Sequence, residues 1–117
     1  MLPCVLYSIQ ILVYPGAFNT VTGPLHWELL CRARAVDNQL FLLACSPARA
    51  AGASYQAWGH STAVGPFGEI LAAATEAPAT VHATLELAQI AVRRRAMPLQ
   101  QQRRGDVYAL LDRRASK

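Results

Sequence analysis

Cysteine carries the most reactive side-chain chemistry in this sequence, and the positions of its three copies limit what that chemistry is. Cys4, Cys31 and Cys45 form no CxxC pair and have no paired histidines nearby, so the pattern indicates neither a disulfide framework nor a zinc site. We expect free thiols in a reducing compartment. Cys31 falls within a predicted helix and Cys45 within a predicted buried strand, where thiols are usually inert.

The positions of the lysine and the histidines in the sequence indicate no catalytic centre. The single lysine, Lys117, is the last residue, and a fraying terminus places an ammonium group poorly for a preformed oxyanion site. His60 is interpreted as a hydrogen-bonded histidine near the start of a strand, because no nucleophile with an orienting carboxylate is evident beside it. His82 has still less claim to a role, and the sequence contains no glycine-rich phosphate-binding motif.

Basic residues are concentrated towards the carboxyl-terminal end of the sequence. The formal net charge is +4, and eight of the eleven basic residues lie at or after Arg93. Because no aromatic residues are interleaved with these arginines, a solvated helix face is favoured over a nucleic-acid patch. The apolar first residues lack a basic region and are interrupted at Gln10 and Pro15, which is atypical of a signal peptide or a membrane anchor. We therefore expect neither a nucleic-acid partner nor a membrane partner.

Elements that would position these residues are predicted from apolar runs and turn residues, and the 53% apolar composition is sufficient for one domain core. Short aliphatic runs predict fully buried strands at residues 10–14 and 40–45. A helix is predicted between them at residues 24–38, with the Thr22 hydroxyl as its cap. Strand, helix and strand in this order suggest a right-handed crossover within a sheet.

The second half of the sequence predicts a hairpin followed by a strand and a helix. The predicted elements, in chain order, are a strand at residues 57–64, a turn at 65–68, a strand at 69–74, a strand at 79–85 and a helix at 86–95. Beyond the helix the chain is expected to be extended, with a turn near Gly105. At the end of the first helix, Arg34 and Asp37 are expected to pair, since a spacing of three residues lets them meet.

Several longer motifs resemble a single protein family. They are VYPGAFN at residues 13–19, TG at 22–23, HWELL at 26–30, RARAVDNQ at 32–39, SPAR at 46–49, WGHST at 58–62 and PFGE at 66–69. Together they resemble carbon–nitrogen hydrolases of the nitrilase superfamily, and in detail the omega-amidase branch. The resemblance implies an α/β fold, the C-terminal portion of a four-layer α-β-β-α sandwich. It assigns residues 10–112 to a partial carbon–nitrogen hydrolase domain, with a non-family segment at residues 1–9 and a tail at 113–117.

The resemblance implies amide hydrolysis by a glutamate, lysine and cysteine triad, with no metal or organic cofactor expected. The cysteine attacks the amide carbon, the carboxylate moves the proton, and the lysine ammonium stabilises the oxyanion. In relatives this triad precedes the strand at residues 10–14, so we expect a truncated chain that is inactive alone. The omega-amidase branch acts on the small keto-amides α-ketoglutaramate and α-ketosuccinamate, and releases ammonia and a keto-dicarboxylate.

Phe18 and Thr22 lie on the loop that borders the substrate pocket in relatives, and the resemblance implies that they contact the substrate. The alternatives are ordinary loop packing for Phe18 and helix capping for Thr22. Trp27 is expected in the core, since a tryptophan within a helix usually packs there. The family also implies a homo-oligomer, or pairing of this chain with a full-length subunit, and a cytoplasmic location.

Overall fold

The computed structural model of the protein describes residues 9–108. Its elements are β1 (Ile11–Pro15), α1 (Gly23–Asn38), β2 (Phe41–Cys45), β3 (Thr62–Val64), β4 (Ile70–Ala73), α2 (Ala88–Ala96) and α3 (Leu99–Gln102). The predictions on Cys4, on Lys117, on residues 1–8 and on the tail at 113–117 lie outside the described residues. Within residues 9–108, no helix has the length and apolar composition to cross a membrane.

The four strands form one sheet in the order β1-β2-β3-β4. β1 pairs with β2 in parallel, with Leu12 opposite Leu42. Parallel neighbours need a long crossover connection, and α1 supplies it. β3 is antiparallel to both β2 and β4, with a register shift between Ala63 and Val64. The parallel strand–helix–strand unit and the hairpin are therefore confirmed.

The core lies between the sheet and one face of α1. The helix buries Gly23, Trp27, Cys31 and Ala35, which recur every four residues and so share one face. The side chains of Trp27, Cys31 and Ala35 pack in one cluster with Leu42, Ala44 and Val64 of the sheet. The predicted core position of Trp27 is confirmed, because its side chain is only 2% exposed.

Burial of the first strand was predicted wrongly. Ile11, Val13 and Tyr14 are 39%, 63% and 42% exposed. β1 is an edge strand, and only its Leu12 side packs on the core, since alternate residues of a strand point to opposite faces. Cys45, the last residue of β2, is likewise exposed, so its predicted burial is also wrong.

Two further strand predictions need correction. The strand predicted at residues 57–64 begins only at Thr62, because Gly59 and His60 have φ values of 78° and 61°, which break an extended backbone. Residues 79–85 form no strand and have no pairing partner within the described part of the chain. Strand geometry needs a neighbour to complete its hydrogen bonds, and an alternating sequence does not provide one.

The carboxyl-terminal helices differ only in detail from the prediction. The helix predicted at residues 86–95 is confirmed as α2, shifted to Ala88–Ala96 and ended by the extended Met97. Leu99–Gln102, predicted as extended, is one short helix, and the turn near Gly105 is present.

The side chains at the two ends of α1 make other contacts than those predicted. Thr22 has helical dihedrals and makes no capping hydrogen bond through its side chain. Arg34 and Asp37 form no ion pair, and the carbonyl of Arg34 instead accepts a hydrogen bond from Asn38 Nδ2 at 2.9 Å.

Candidate functional site

Two loops meet at the sheet edge where the parallel strands β1 and β2 end. Residues 16–22 follow β1 and residues 46–58 follow β2, and a hydrogen bond from Gly16 N to the Cys45 carbonyl at 2.9 Å ties the strand ends together. In open α/β sheets, ligands bind outside the carboxyl ends of the strands. This edge, which carries both predicted substrate contacts, is therefore the candidate site.

The Phe18 side chain packs into the core beneath the first loop. Its ring meets the Trp27 ring edge-on, with centroids 5.3 Å apart, and Tyr14 flanks Trp27 from 6.2 Å. A small cavity of about 90 Å³ lies among these rings. The structure thus contains the loop packing considered as the alternative for Phe18, while substrate contact by Phe18 stays a prediction.

The Asn19 side chain fixes the rest of the loop and hydrogen-bonds to Thr22. Its Oδ1 accepts hydrogen bonds from Val21 N at 3.0 Å, from Thr22 N at 2.8 Å and from the Thr22 hydroxyl at 3.0 Å. The Thr22 hydroxyl therefore donates its proton to Asn19 within the loop, and its oxygen lone pairs stay available as acceptors. The cavity beside Phe18 is not lined by Thr22, so the structure places the two predicted residues on one loop but not around one cavity.

The second loop is bonded directly to the first. Trp58 N donates to the Phe18 carbonyl at 2.7 Å, Asn19 and Ala57 form an isolated β-bridge, and the Tyr55 hydroxyl donates to the Ala17 carbonyl at 2.7 Å. The Trp58 bond is part of this bridge, so two independent contacts, the bridge and the Tyr55 hydrogen bond, hold the loops as one unit. The edge of the sheet is therefore preorganised, as a binding site requires.

His60 completes this unit through its backbone and its ring. The Trp27 indole N–H donates to the His60 carbonyl at 2.6 Å, and the His60 ring stacks on Trp58 at 4.1 Å. Nδ1 lies 2.8 Å from the Trp58 carbonyl; because a carbonyl only accepts, Nδ1 carries the proton in this contact. The interpretation of His60 as a hydrogen-bonded histidine is confirmed.

Neither described cysteine is set up as an activated nucleophile. Cys31 is 2% exposed, and burial raises its pKa to about 11, with opposing contributions from the nearby Arg34, which lowers it, and Glu28, which raises it. Its thiol is therefore protonated at neutral pH, which confirms the expectation that it is inert. Cys45 lines an open cleft of about 500 Å³ together with His82, and that lining contains no carboxylate to orient the imidazole.

The described cysteines, histidines and carboxylates also do not gather around one point. Among residues 9–108, no group of three or more of them has the arrangement of a metal site.

Several residues of the site carry no local sequence signal. Arg49 donates from Nε to the Ala57 carbonyl at 3.0 Å and lies over the Trp58 ring at 5.8 Å. Gly23 packs directly against the Trp58 side chain, with no room for a Cβ atom. Only Asn19 could have been found, because an Asn side chain commonly accepts a hydrogen bond from the backbone two residues later in an Asx turn.

Comparisons with known proteins match this chain over most of its length. The family model described as carbon-nitrogen hydrolase matches residues 1–95. A chloroplastic omega-amidase of Arabidopsis thaliana is 59% identical over 103 residues, and an omega-amidase of Homo sapiens is 54% identical over 101 residues. The alignments cover 88% and 86% of this chain, but only 28% and 37% of those proteins. The chain therefore spans about a third of the length of these relatives.

A solved structure shares the fold as well as the sequence. The crystal structure of Nit3 from Saccharomyces cerevisiae, a member of the nitrilase superfamily, aligns with a TM-score of 0.77 and 53% sequence identity. The alignment covers 80% of this chain and 35% of the yeast protein. The two proteins therefore share about half of the aligned residues as well as the fold.

Proposed function

Because the chain belongs to the carbon–nitrogen hydrolase family of the nitrilase superfamily, we propose that it forms part of an omega-amidase that acts on small keto-amides. The observation that carries this proposal is the sequence identity to proteins named omega-amidase over most of the chain. The predicted α/β fold is confirmed, since the described residues form an α/β part of the nitrilase-superfamily fold. The proposed substrates are α-ketoglutaramate and α-ketosuccinamate, which are hydrolysed to a keto-dicarboxylate and ammonia.

The two tied loops are the proposed substrate-facing part of this chain. In this proposal Phe18 gives an apolar wall, and Thr22 offers hydroxyl lone pairs to a substrate donor. Support comes from the position of the loops at the carboxyl ends of β1 and β2 and from the hydrogen bonds that fix them. A rigid loop limits the ordering entropy that binding costs.

We further propose that the 117-residue chain is a truncated form that does not hydrolyse amides alone. The proposed reaction uses a glutamate, a lysine and an activated cysteine. Support comes from the raised pKa of Cys31 and from the cleft at Cys45, whose lining has no carboxylate. No residue of this chain is assigned a catalytic role.

A chimera tests the family function separately from the activity of the short chain. Residues 10–108 replace the matching segment of the human omega-amidase, and ammonia release from α-ketoglutaramate is measured. We expect the chimera to remain active, and Phe18→Ala within it to raise KM about tenfold, as expected for loss of one apolar contact. Phe67→Ala, which truncates a 48% exposed ring on the β3–β4 turn, is the matched control. A folded chimera that releases no ammonia contradicts the proposed function.

The same assay on the 117-residue chain tests inactivity. We expect no ammonia release above that of buffer. Turnover that disappears in Cys4→Ser, Cys31→Ser or Cys45→Ser would show that the chain holds its own nucleophile, and would overturn the proposal of an inactive form.

A second candidate function is pairing with another subunit through α1. Leu25 and Leu29, four residues apart on one face of the helix, are 62% and 64% exposed. We propose that this face binds a second copy of the chain or a full-length subunit, because exposed apolar side chains at helical spacing favour burial in an interface. Sedimentation of the chain with Leu25→Glu and Leu29→Glu tests it, with Val92→Glu on α2 as the control. An unchanged mass in the double variant would remove this candidate.

We also propose a cytoplasmic location, supported by the two free thiols at Cys31 and Cys45. The Arabidopsis thaliana relative is named as chloroplastic, so a plastid location is the outcome that would contradict this. Cell fractionation with an antibody against the chain distinguishes the two.

A further inference from the structure

An open cleft of about 480 Å³ lies where α2 and α3 meet the end of α1, away from the two site loops. Its polar lining consists of Gln39, Arg94, Arg95, Gln100 and Gln101. We propose that this cleft binds a small oxyanion, either a phosphate or a dicarboxylate, between its two arginines. The proposal is independent of the amidase function, because none of these residues belongs to the candidate site.

The charges around the cleft favour an anion. Arg93, Arg94 and Arg95 stand in the last turn of α2, and neither ion pair among residues 9–108 involves them. Their proximity to the helix C-terminus explains part of this arrangement, since that end carries roughly half a negative charge. The two full positive charges that line the cleft, on Arg94 and Arg95, exceed it, so the cleft keeps a net positive charge that an anion can neutralise.

Two of the arginines also carry donors that lack an acceptor. The Nε atoms of Arg93 and Arg94 are buried and make no hydrogen bond to any described residue. Arg94 donates a hydrogen bond from Nη2 to the Ile9 carbonyl at 2.9 Å, and the Arg93 guanidinium lies 5.3 Å from the Phe67 ring centroid. These arginines are thus partly buried, which corrects the prediction of a fully solvated basic face. A buried donor without an acceptor is unfavourable, and an oxyanion bound beside Arg94, the one of these two arginines that lines the cleft, supplies acceptor atoms.

The floor of the cleft is fixed before any ligand arrives. Gln39 is 3% exposed, has a left-handed φ of 53°, and donates from Nε2 to the Met97 carbonyl at 2.7 Å. This bond joins the end of α1 to the break between α2 and α3. The arginines therefore extend from a backbone that is held at both sides.

The lining chemistry selects a small oxyanion over larger partners. Guanidinium and amide N–H groups donate in fixed directions to phosphate and carboxylate oxygens. The lining contains no aromatic ring on which a base could stack, which disfavours nucleic acid. Its concave form suits a single ion better than a flat membrane surface.

Calorimetric titration of the 117-residue chain with inorganic phosphate, and in a parallel arm with succinate, tests the proposal. We expect saturable binding in at least one arm. Arg95→Gln, which removes an exposed cleft arginine, should weaken that binding about tenfold, the loss typical of a charge-assisted hydrogen bond. The matched control is Arg103→Gln, which makes the same charge change outside the lining and should alter binding less than about twofold.

Two further variants keep the test independent of folding and of the amidase proposal. Arg95→Lys keeps the charge but loses the forked donor geometry, so it should weaken binding while circular dichroism stays unchanged. Phe18→Ala alters the candidate site and should leave anion binding unaltered. Absence of saturable binding in both arms, or equal weakening by Arg95→Gln and Arg103→Gln, would overturn the proposal.

Discussion

The sheet unit, residues 11–73, and the arm, residues 74–108, follow each other in one chain but bury their side chains very differently. Of the twelve buried apolar side chains within residues 9–108, eleven, Pro66 included, lie in the sheet unit, and only Ile90 lies in the arm. The α1 helix buries four residues on one face, whereas α2 buries one. Stability therefore resides in the sheet unit, and the arm depends on contacts with it.

Polar contacts attach the arm to the sheet unit at its two ends. Near residue 75, His60 N donates to the Thr75 carbonyl at 3.0 Å and Arg49 N donates to the Glu76 carbonyl at 2.8 Å. Near residue 97, Gln39 donates to the Met97 carbonyl at 2.7 Å. Between these two points, residues 74–87 have no regular secondary structure, and α2 follows them. The arm is thus fixed by hydrogen bonds at discrete points more than by apolar burial.

Removing the largest core side chain of each region gives the largest expected difference between them. Trp27→Ala should lower the free energy of unfolding by about 3–5 kcal/mol, because it deletes a buried indole with two aromatic neighbours. Ile90→Ala should cost about 2 kcal/mol, the lower end for a buried isoleucine, since few other buried apolar side chains surround it. Urea denaturation measures both, and equal losses would contradict the difference between the two regions.

Two glycines with almost the same dihedral angle test the junction with the arm. Gly59 and Gly52 have φ values of 78° and 76°. A Cβ atom added to Gly59 would lie 2.6 Å from Glu76 Cα, whereas a Cβ atom added to Gly52 would have no neighbouring atom within 4 Å. Gly52→Ala should cost about 1 kcal/mol from backbone strain alone. Gly59→Ala should cost about 3 kcal/mol, because it adds displacement of the arm. Similar costs for both would show that the arm yields freely at this point.

The same difference explains what the sequence predicts well. The α1 helix was predicted to within one residue, because its apolar spacing and Pro24 are local signals and its partner strands lie in the same unit. The alternating segment at residues 79–85 predicted a strand that is absent. A strand needs a neighbour, and local alternation cannot show whether one is available.

Prediction of the candidate site was limited by distance along the chain. Phe18 and Thr22 were selected through the family motif, and the structure places both on the loop at the sheet edge. Tyr55 and Trp58 were missed, since they act by donating to the backbone carbonyls of Ala17 and Phe18, about 40 positions earlier. Long-range hydrogen bonds to backbone carbonyls leave no periodic pattern in the sequence.

The buried thiol of Cys31 in the sheet unit provides a pH test of the core. The pKa of Cys31 is raised from 9.0 to about 11, chiefly by burial, so the folded state holds its proton more tightly than the unfolded state. The resulting stabilisation is fully present below pH 9 and is lost as pH rises through about 11. Urea midpoints at pH 8 and pH 10.5 should therefore differ more in the native chain than in Cys31→Ala. An equal shift in both would mean that Cys31 is not desolvated.

The smallest expected effect concerns the one ion pair of each region. In the sheet unit, Glu28 Oε1 lies 3.2 Å from Arg32 Nη1, and Arg32 also donates from Nε to the Gly68 carbonyl at 2.8 Å. Glu28→Gln should cost only about 0.3 kcal/mol and should lose that cost in 1 M salt, because both side chains are largely exposed.

In the arm, hydrogen bonds from Arg104 lower the pKa of Asp106, two residues away, and neither group is buried. Arg104→Gln should raise that pKa towards the ordinary value in an NMR titration and leave the thermal midpoint unchanged. The two arginines differ in what they connect. Arg32 links α1 to the β3–β4 turn, whereas Arg104 bonds only to Asp106 within the same turn. A fall in the thermal midpoint with Arg104→Gln would show that the arm carries more of the fold than its burial indicates.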